Sequence, residues 1–101
     1  MMKDTNHQTL NQQRLLASVA RESDSGCWLW RGQISNTGYG RIMVTASDGR
    51  SLESAHRASY AAFVGPIPER GVVRQTCGKR LCVNPEHLEM FMEPSLTPVA
   101  G

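Results

Sequence analysis

Cys77-Gly78-Lys79-Arg80-Leu81-Cys82-Val83-Asn84-Pro85-Glu86-His87 sets two thiols and an imidazole at even spacing, Cys-x4-Cys-x4-His. The loop Gly78 to Leu81 is hairpin-like and can bring two thiolates to one ion. Asn84 is a natural helix N-cap, Pro85 suits the first helical position, and Glu86 suits the positive end of the helix dipole. A short final helix is therefore expected to start here and turn His87 back toward the thiols. The one remaining cysteine, Cys27, lies far upstream. Three cysteines and a histidine make up the four donors with which a structural zinc site closes its tetrahedron. Two other readings stay open: buried cysteines acting as small hydrophobes, and a Cys77–Cys82 disulfide with Cys27 left over. The disulfide fits poorly with a chain that shows no sign of export.

A metal answers a need set by size. The chain has 101 residues, enough for one compact domain. A chain this short buries only about 65% of the surface its unfolded form exposes. Aromatics make up 6% of it, so the apolar core is thin and a metal staple would contribute much of the folding free energy. The 40% hydrophobic and 20% charged fractions argue against disorder and coiled coil. The longest uncharged apolar run, Ala61 to Val64, is far short of a membrane span, and the polar start has no signal-peptide core. A reducing cytoplasm is the expected location, with no membrane partner.

Outward from the motif, the pattern reads as α+β. Leu15, Leu16, Val19 and Ala20 recur at helical spacing and predict a helix over about Gln8–Arg21, broken by Ser23 to Gly26. Cys27–Ile34 and Tyr39–Thr45, joined by the turn Ser35 to Gly38, predict an antiparallel hairpin. A turn at Ser47-Asp48-Gly49 leads to a third strand, Arg50–Ala55. A second helix is expected from Ala55 to Val64, ended by Gly65-Pro66-Ile67-Pro68, and then a strand from Val72 to Gln75. Residues 1–25 read as an N-terminal helical extension, 26–92 as the metal-bound domain and 93–101 as an irregular tail. Trp28 and Trp30 read as core, and His7 as having no chemical role.

Charge is uneven. Between Cys27 and Cys82 stand eight basic residues against three acidic ones, a net of +5, whereas the segment after Cys82 is −3. Such a basic middle suits a polyanion, since each Lys or Arg set on a phosphate releases a counterion. An Arg-rich solvated surface would look the same.

The run from GCWLWRG (residues 26–32) through GYGRI, AHRASYAAFVGPIP and CGKRLCVNPEHLE resembles the phage and intron HNH endonucleases of the His-Me finger superfamily, and most of all the His-Cys box homing endonucleases. The resemblance covers about residues 26–90. It implies a ββα-metal finger with an N-terminal antiparallel sheet and, here, an extra N-terminal helix, with structural zinc on Cys27, Cys77, Cys82 and His87. Active members carry a general-base histidine two residues before the first cysteine of the motif. Gln75 stands there, and an amide has no basic site near neutral pH. The asparagine that holds catalytic magnesium in relatives corresponds to Leu96, and Arg74 beside Gln75 would repel a divalent cation. No catalytic residue is therefore expected; His56 is the one surrogate base, and it reads as structural.

The resemblance also implies double-stranded DNA as partner. Arg31, Gln33, Arg41 and Asn36 would face a groove, where Arg and Gln can read bases. Arg57, Arg74, Lys79 and Arg80 would clamp phosphates. The leading expectation is a DNA-binding, non-cleaving protein of phage or mobile-element type in the cytoplasm of a bacterial host. Two alternatives are an active endonuclease that uses Mg2+, and a repurposed scaffold that inhibits a host protein complex. A homodimer reading a palindromic site is a further expectation from relatives.

Overall fold

The computed structural model describes residues 3–46 and 49–92. The fold is α+β: α1 (Lys3–Ala17), β1 (Val19–Arg21), β2 (Trp28–Trp30), β3 (Arg41–Ala46), β4 (Gly49–Ser54), α2 (Ala55–Phe63), β5 (Gly71–Gln75) and β6 (Leu88–Met92). The strands form three antiparallel pairs, β1–β2, β3–β4 and β5–β6. None of the helices is long and apolar enough to cross a membrane among the described residues.

Helix α2 is the hub. Ala55, Ala58 and Ala62 share its inner face, and their small side chains let the helix lie close to Leu15, Trp30, Ile42 and Val83, which are all buried. Ser59, fully buried on the same helix, donates to the Val83 carbonyl at 2.6 Å. Trp30 occupies a slot that only glycines permit: a Cβ at Gly32 or Gly40 would collide with its ring. Its Nε1 donates to the Gln33 carbonyl at 3.0 Å. The expectation that the tryptophans serve the core holds for both, since Trp28 packs on the same cluster and meets Phe63 edge-on.

Over residues 8–17, helix α1 buries Leu15 alone and docks mainly through amides. Gln8 and Gln12 both donate to the Ala62 carbonyl, at 2.7 and 2.6 Å. Asn11 pairs with both the N–H and the carbonyl of Thr45 at 3.1 Å, acting as one extra rung on β3.

Three expectations are corrected. The first helix runs from Lys3 and stops at Ala17 rather than reaching Arg21, because Val19, Ala20 and Arg21 pair with Trp30, Leu29 and Trp28. Apolar spacing cannot reveal this, since the pairing partner lies beyond the turn. The expected hairpin of Cys27–Ile34 with Tyr39–Thr45 is reduced to the Ile34–Gly40 bridge around the Ser35–Gly38 turn. Both edges of β2 are already taken: β1 holds one, and Leu81 to Val83 hold the other through Trp30 N–H to Leu81 O and Val83 N–H to Trp28 O, each 2.8 Å. Strand β3 pairs instead with β4, Ala46 opposite Gly49. The expected final helix is a single 3-10 turn, Pro85–His87, after which β6 begins. The Thr76 N–H captures the His87 carbonyl at 2.8 Å and draws the chain into the β5–β6 ladder. Ser47, Asp48, Leu96 and the tail 93–101 lie outside the described residues.

Candidate metal centre

Four segments converge beside β2 and β5. Cys27 immediately precedes β2, Cys77 and Cys82 bracket the turn after β5, and His87 closes the 3-10 turn. Their ligand atoms all lie within 4.8 Å of one another. Cys27 Sγ is 3.6 Å from Cys77 Sγ and 3.6 Å from His87 Nδ1, and Cys82 Sγ is 3.5 Å from His87 Nδ1. Metal–ligand bonds of about 2.3 Å to sulfur and about 2.05 Å to nitrogen give tetrahedral edges of roughly 3.8 Å between sulfurs and roughly 3.6 Å from sulfur to nitrogen. These three of the six edges agree and all six are within 4.8 Å, so the group can hold a metal ion such as zinc. All three cysteines are free, and 3.6 Å is far beyond a disulfide bond of about 2.05 Å.

The frame around the ligands comes from Asn84, Gly26, Ser25 and Glu22, of which the sequence reading singled out Asn84 as a cap. Asn84 accepts from the Glu86 N–H at 2.9 Å, the expected cap, while its Nδ2 donates to the Gly26 carbonyl at 2.6 Å. Gly26 has φ +78 and lies against the His87 ring, where an L-residue would be strained. Ser25 Oγ accepts from the Cys27 N–H at 3.2 Å and donates to Glu22 at 2.6 Å. Glu22 in turn pairs with Lys79 of the metal loop at 3.1 Å. In the sequence, Ser23 to Gly26 read only as a helix breaker.

Burial pushes the Cys82 thiol up to about 12. Burial also works to raise Cys77, but hydrogen bonds from the Lys79 backbone and the neighbouring thiols outweigh it and leave Cys77 below the ordinary thiol value. The hydrogen bond from Ser25, then Lys79, lowers Glu22, and Glu22 raises Lys79. A metal must therefore displace at least the Cys82 proton to bind.

Gln75 is half-buried. Its Nε2 donates to the Arg80 carbonyl at 3.0 Å and reaches the Cys82 carbonyl at 3.5 Å. His56 is 9% exposed, its Nδ1 has no partner, and its ring lies 5.1 Å from that of Tyr39. Burial lowers its pKa, leaving it neutral at pH 7.

The eight DNA-contact candidates divide into two groups. Arg31, Gln33 and Asn36 are exposed and Arg41 half-buried, around the Ile34–Gly40 bridge. The other four are engaged within the chain. Arg57 pairs with Glu53 at 3.8 Å and donates to the Gly71 carbonyl at 2.9 Å. Arg74 pairs with Glu89 at 3.6 Å, Lys79 holds Glu22, and Arg80 donates to the Thr37 carbonyl at 2.9 Å beneath the Tyr39 ring.

Residues 53–92 match the family model described as HNH endonuclease. Over these 40 of its 101 residues the chain is similar to the HNH endonuclease family. This segment contains Gln75, Cys77, Cys82 and His87, whereas the fourth ligand, Cys27, is supplied from outside it. Protein 2.8 of Escherichia phage T7 is 35% identical to the chain over 68 residues. That alignment takes in 67% of this chain and 44% of the phage protein, so the chain spans less than half of that relative's length. No solved structure matches it.

Proposed function

We propose that this is a small zinc-stabilised DNA-binding protein of phage or mobile-element type, carrying an HNH segment without HNH cleavage. The observation that carries the reading is the clustering of three cysteines and one histidine, with Gln75 beside them. Zinc is the metal that such a donor set suits, and with all four positions filled by protein atoms it holds structure and leaves no open position for water. Gln75 cannot take a proton from an attacking water near neutral pH, and its amide hydrogens are already directed at loop carbonyls. His56 offers a bare nitrogen, but one enclosed by the core. The similarity to a phage protein supports the phage setting.

DNA is the partner that the basic middle suits, with Arg31, Gln33 and Arg41 as groove contacts and Arg57, Arg74, Lys79 and Arg80 as phosphate contacts. A second reading, a scaffold that binds a host protein, is favoured by one observation: those last four side chains already have partners within the chain. The test is incubation of zinc-loaded protein with supercoiled plasmid and Mg2+ or Mn2+, alongside a gel-shift titration. Binding without nicking supports the proposal. Metal-dependent nicking lost in His56→Ala would overturn it in favour of an active endonuclease, and failure to bind DNA would favour the scaffold.

A further inference from the structure

We infer that Gln75, at the position where relatives carry their general base, is a positioning residue for the metal centre: its carboxamide latches the loop between Cys77 and Cys82. This rests on the zinc reading above and deepens it. Gln75 is the last residue of β5 and pairs with Leu88, the residue after the ligand His87. It grips the loop at both ends. Its backbone carbonyl accepts from the Gly78 N–H at 3.3 Å, while its side-chain Nε2 donates to the Arg80 carbonyl at 3.0 Å and approaches the Cys82 carbonyl at 3.5 Å. Within the loop, the Cys82 N–H donates to Lys79 O at 3.1 Å. One amide therefore spans the turn on which two ligands ride.

The choice of an amide follows from the partners. Two carbonyl oxygens face the side-chain end, and a carboxamide has two N–H hydrogens to offer them. A carboxylate has acceptors only and would meet both oxygens with like charge, and a neutral imidazole has a single N–H. The opposite side of the loop is fastened through Arg80, whose guanidinium donates to Thr37 O. With both sides held, the Cys77–Cys82 spacing is preset for the ion, and the latch slows metal loss because the loop must open before a thiolate can leave. Residues that orient ligands in this way typically change metal affinity by about 10- to 100-fold when removed.

The test uses the full chain loaded with zinc. Release to an excess of a chromogenic chelator is timed for the wild type, Gln75→Glu and the near-isosteric Gln75→Met, and exchange of the Gln75 side-chain amide hydrogens is followed by NMR in the wild type. Release about tenfold faster in both variants, with protected side-chain hydrogens, is expected. Release within twofold of the wild type in both, or side-chain hydrogens that exchange as freely as those of an exposed glutamine, overturns the proposal. The exchange measurement stands even where a variant does not fold. A wild-type chain that takes up no zinc removes the metal reading and this proposal with it, whereas normal uptake with unchanged release removes this proposal alone.

Discussion

Asn84 Nδ2 donates to the carbonyl of Gly26 over 2.6 Å, tying the turn that presents His87 to the residue before Cys27, 58 positions away. The same side chain caps that turn through the Glu86 N–H. One buried amide thus aligns two candidate metal ligands from distant parts of the chain.

Replacing Asn84 by Ala removes both bonds and leaves the Gly26 carbonyl without this donor. The expected loss is about 2–3 kcal/mol, from a cap and a part-buried hydrogen bond. Asn84→Asp keeps the cap acceptor but sets a buried carboxylate oxygen against the Gly26 carbonyl, and should be at least as destabilising as Ala. Urea unfolding of the zinc-loaded protein ranks the three.

Stripping the metal should abolish the cooperative unfolding transition or lower its midpoint sharply, since the four ligands join β2, the β5 loop and the 3-10 turn. Apparent zinc affinity should rise with pH, because binding must expel the proton that burial holds on Cys82. A chelator titration at pH 6.5, 7.5 and 8.5 reads this directly; a flat profile would contradict it.

His56 carries a separate pH dependence. Its folded pKa is depressed by burial, so the unfolded chain binds more protons just below the ordinary histidine value of 6.5. Its contribution to stability is present above that value and is lost as pH falls through the folded pKa. Comparing His56→Phe with the wild type at pH 7.5 and 5.5 isolates it: the wild type should lose more stability than the variant.

Gly40→Ala should be among the most damaging small changes, at about 2 kcal/mol or more, because the new methyl would meet the Trp30 ring from one side and Ala55 from the other. Thermal unfolding is the measurement. A normal transition would mean that Trp30 can shift.

The salt dependence of DNA binding counts the cations that leave their internal partners. If only Arg31 and Arg41 reach phosphates, raising salt from 50 to 200 mM should weaken binding by about 12-fold. If Arg57, Arg74, Lys79 and Arg80 also swing out, the loss should be on the order of 2,000-fold. Arg31→Ala with Arg41→Ala should remove nearly all of the dependence in the first case and only part of it in the second.

Much of the metal site was legible because its chemistry resides in residue type. Cysteine and histidine are the soft and borderline donors zinc needs, only three cysteines exist, and the Asn84-Pro85 start announces a turn. Helix α2 was equally plain from its alanine stripe and the proline that follows. The second role of Asn84 was not legible, since a side-chain amide reaching a carbonyl 58 residues away leaves no periodic trace. Neither was the pairing of β2, because three-residue strands carry too little pattern to name a partner.

What the amino-acid sequence determined by itself was therefore the α+β class, the four ligands and the absence of a basic group at position 75, all consequences of local propensity and side-chain chemistry. Only the tertiary structure decided which strand edges meet, that the final helix stops after one turn, and that Gln75 donates to the Cys77–Cys82 loop while Arg80 of that loop donates to the Thr37 carbonyl rather than to open solvent. Those outcomes depend on which backbone groups are still unpaired once the core has closed around Trp30, and that competition is settled only when distant segments meet.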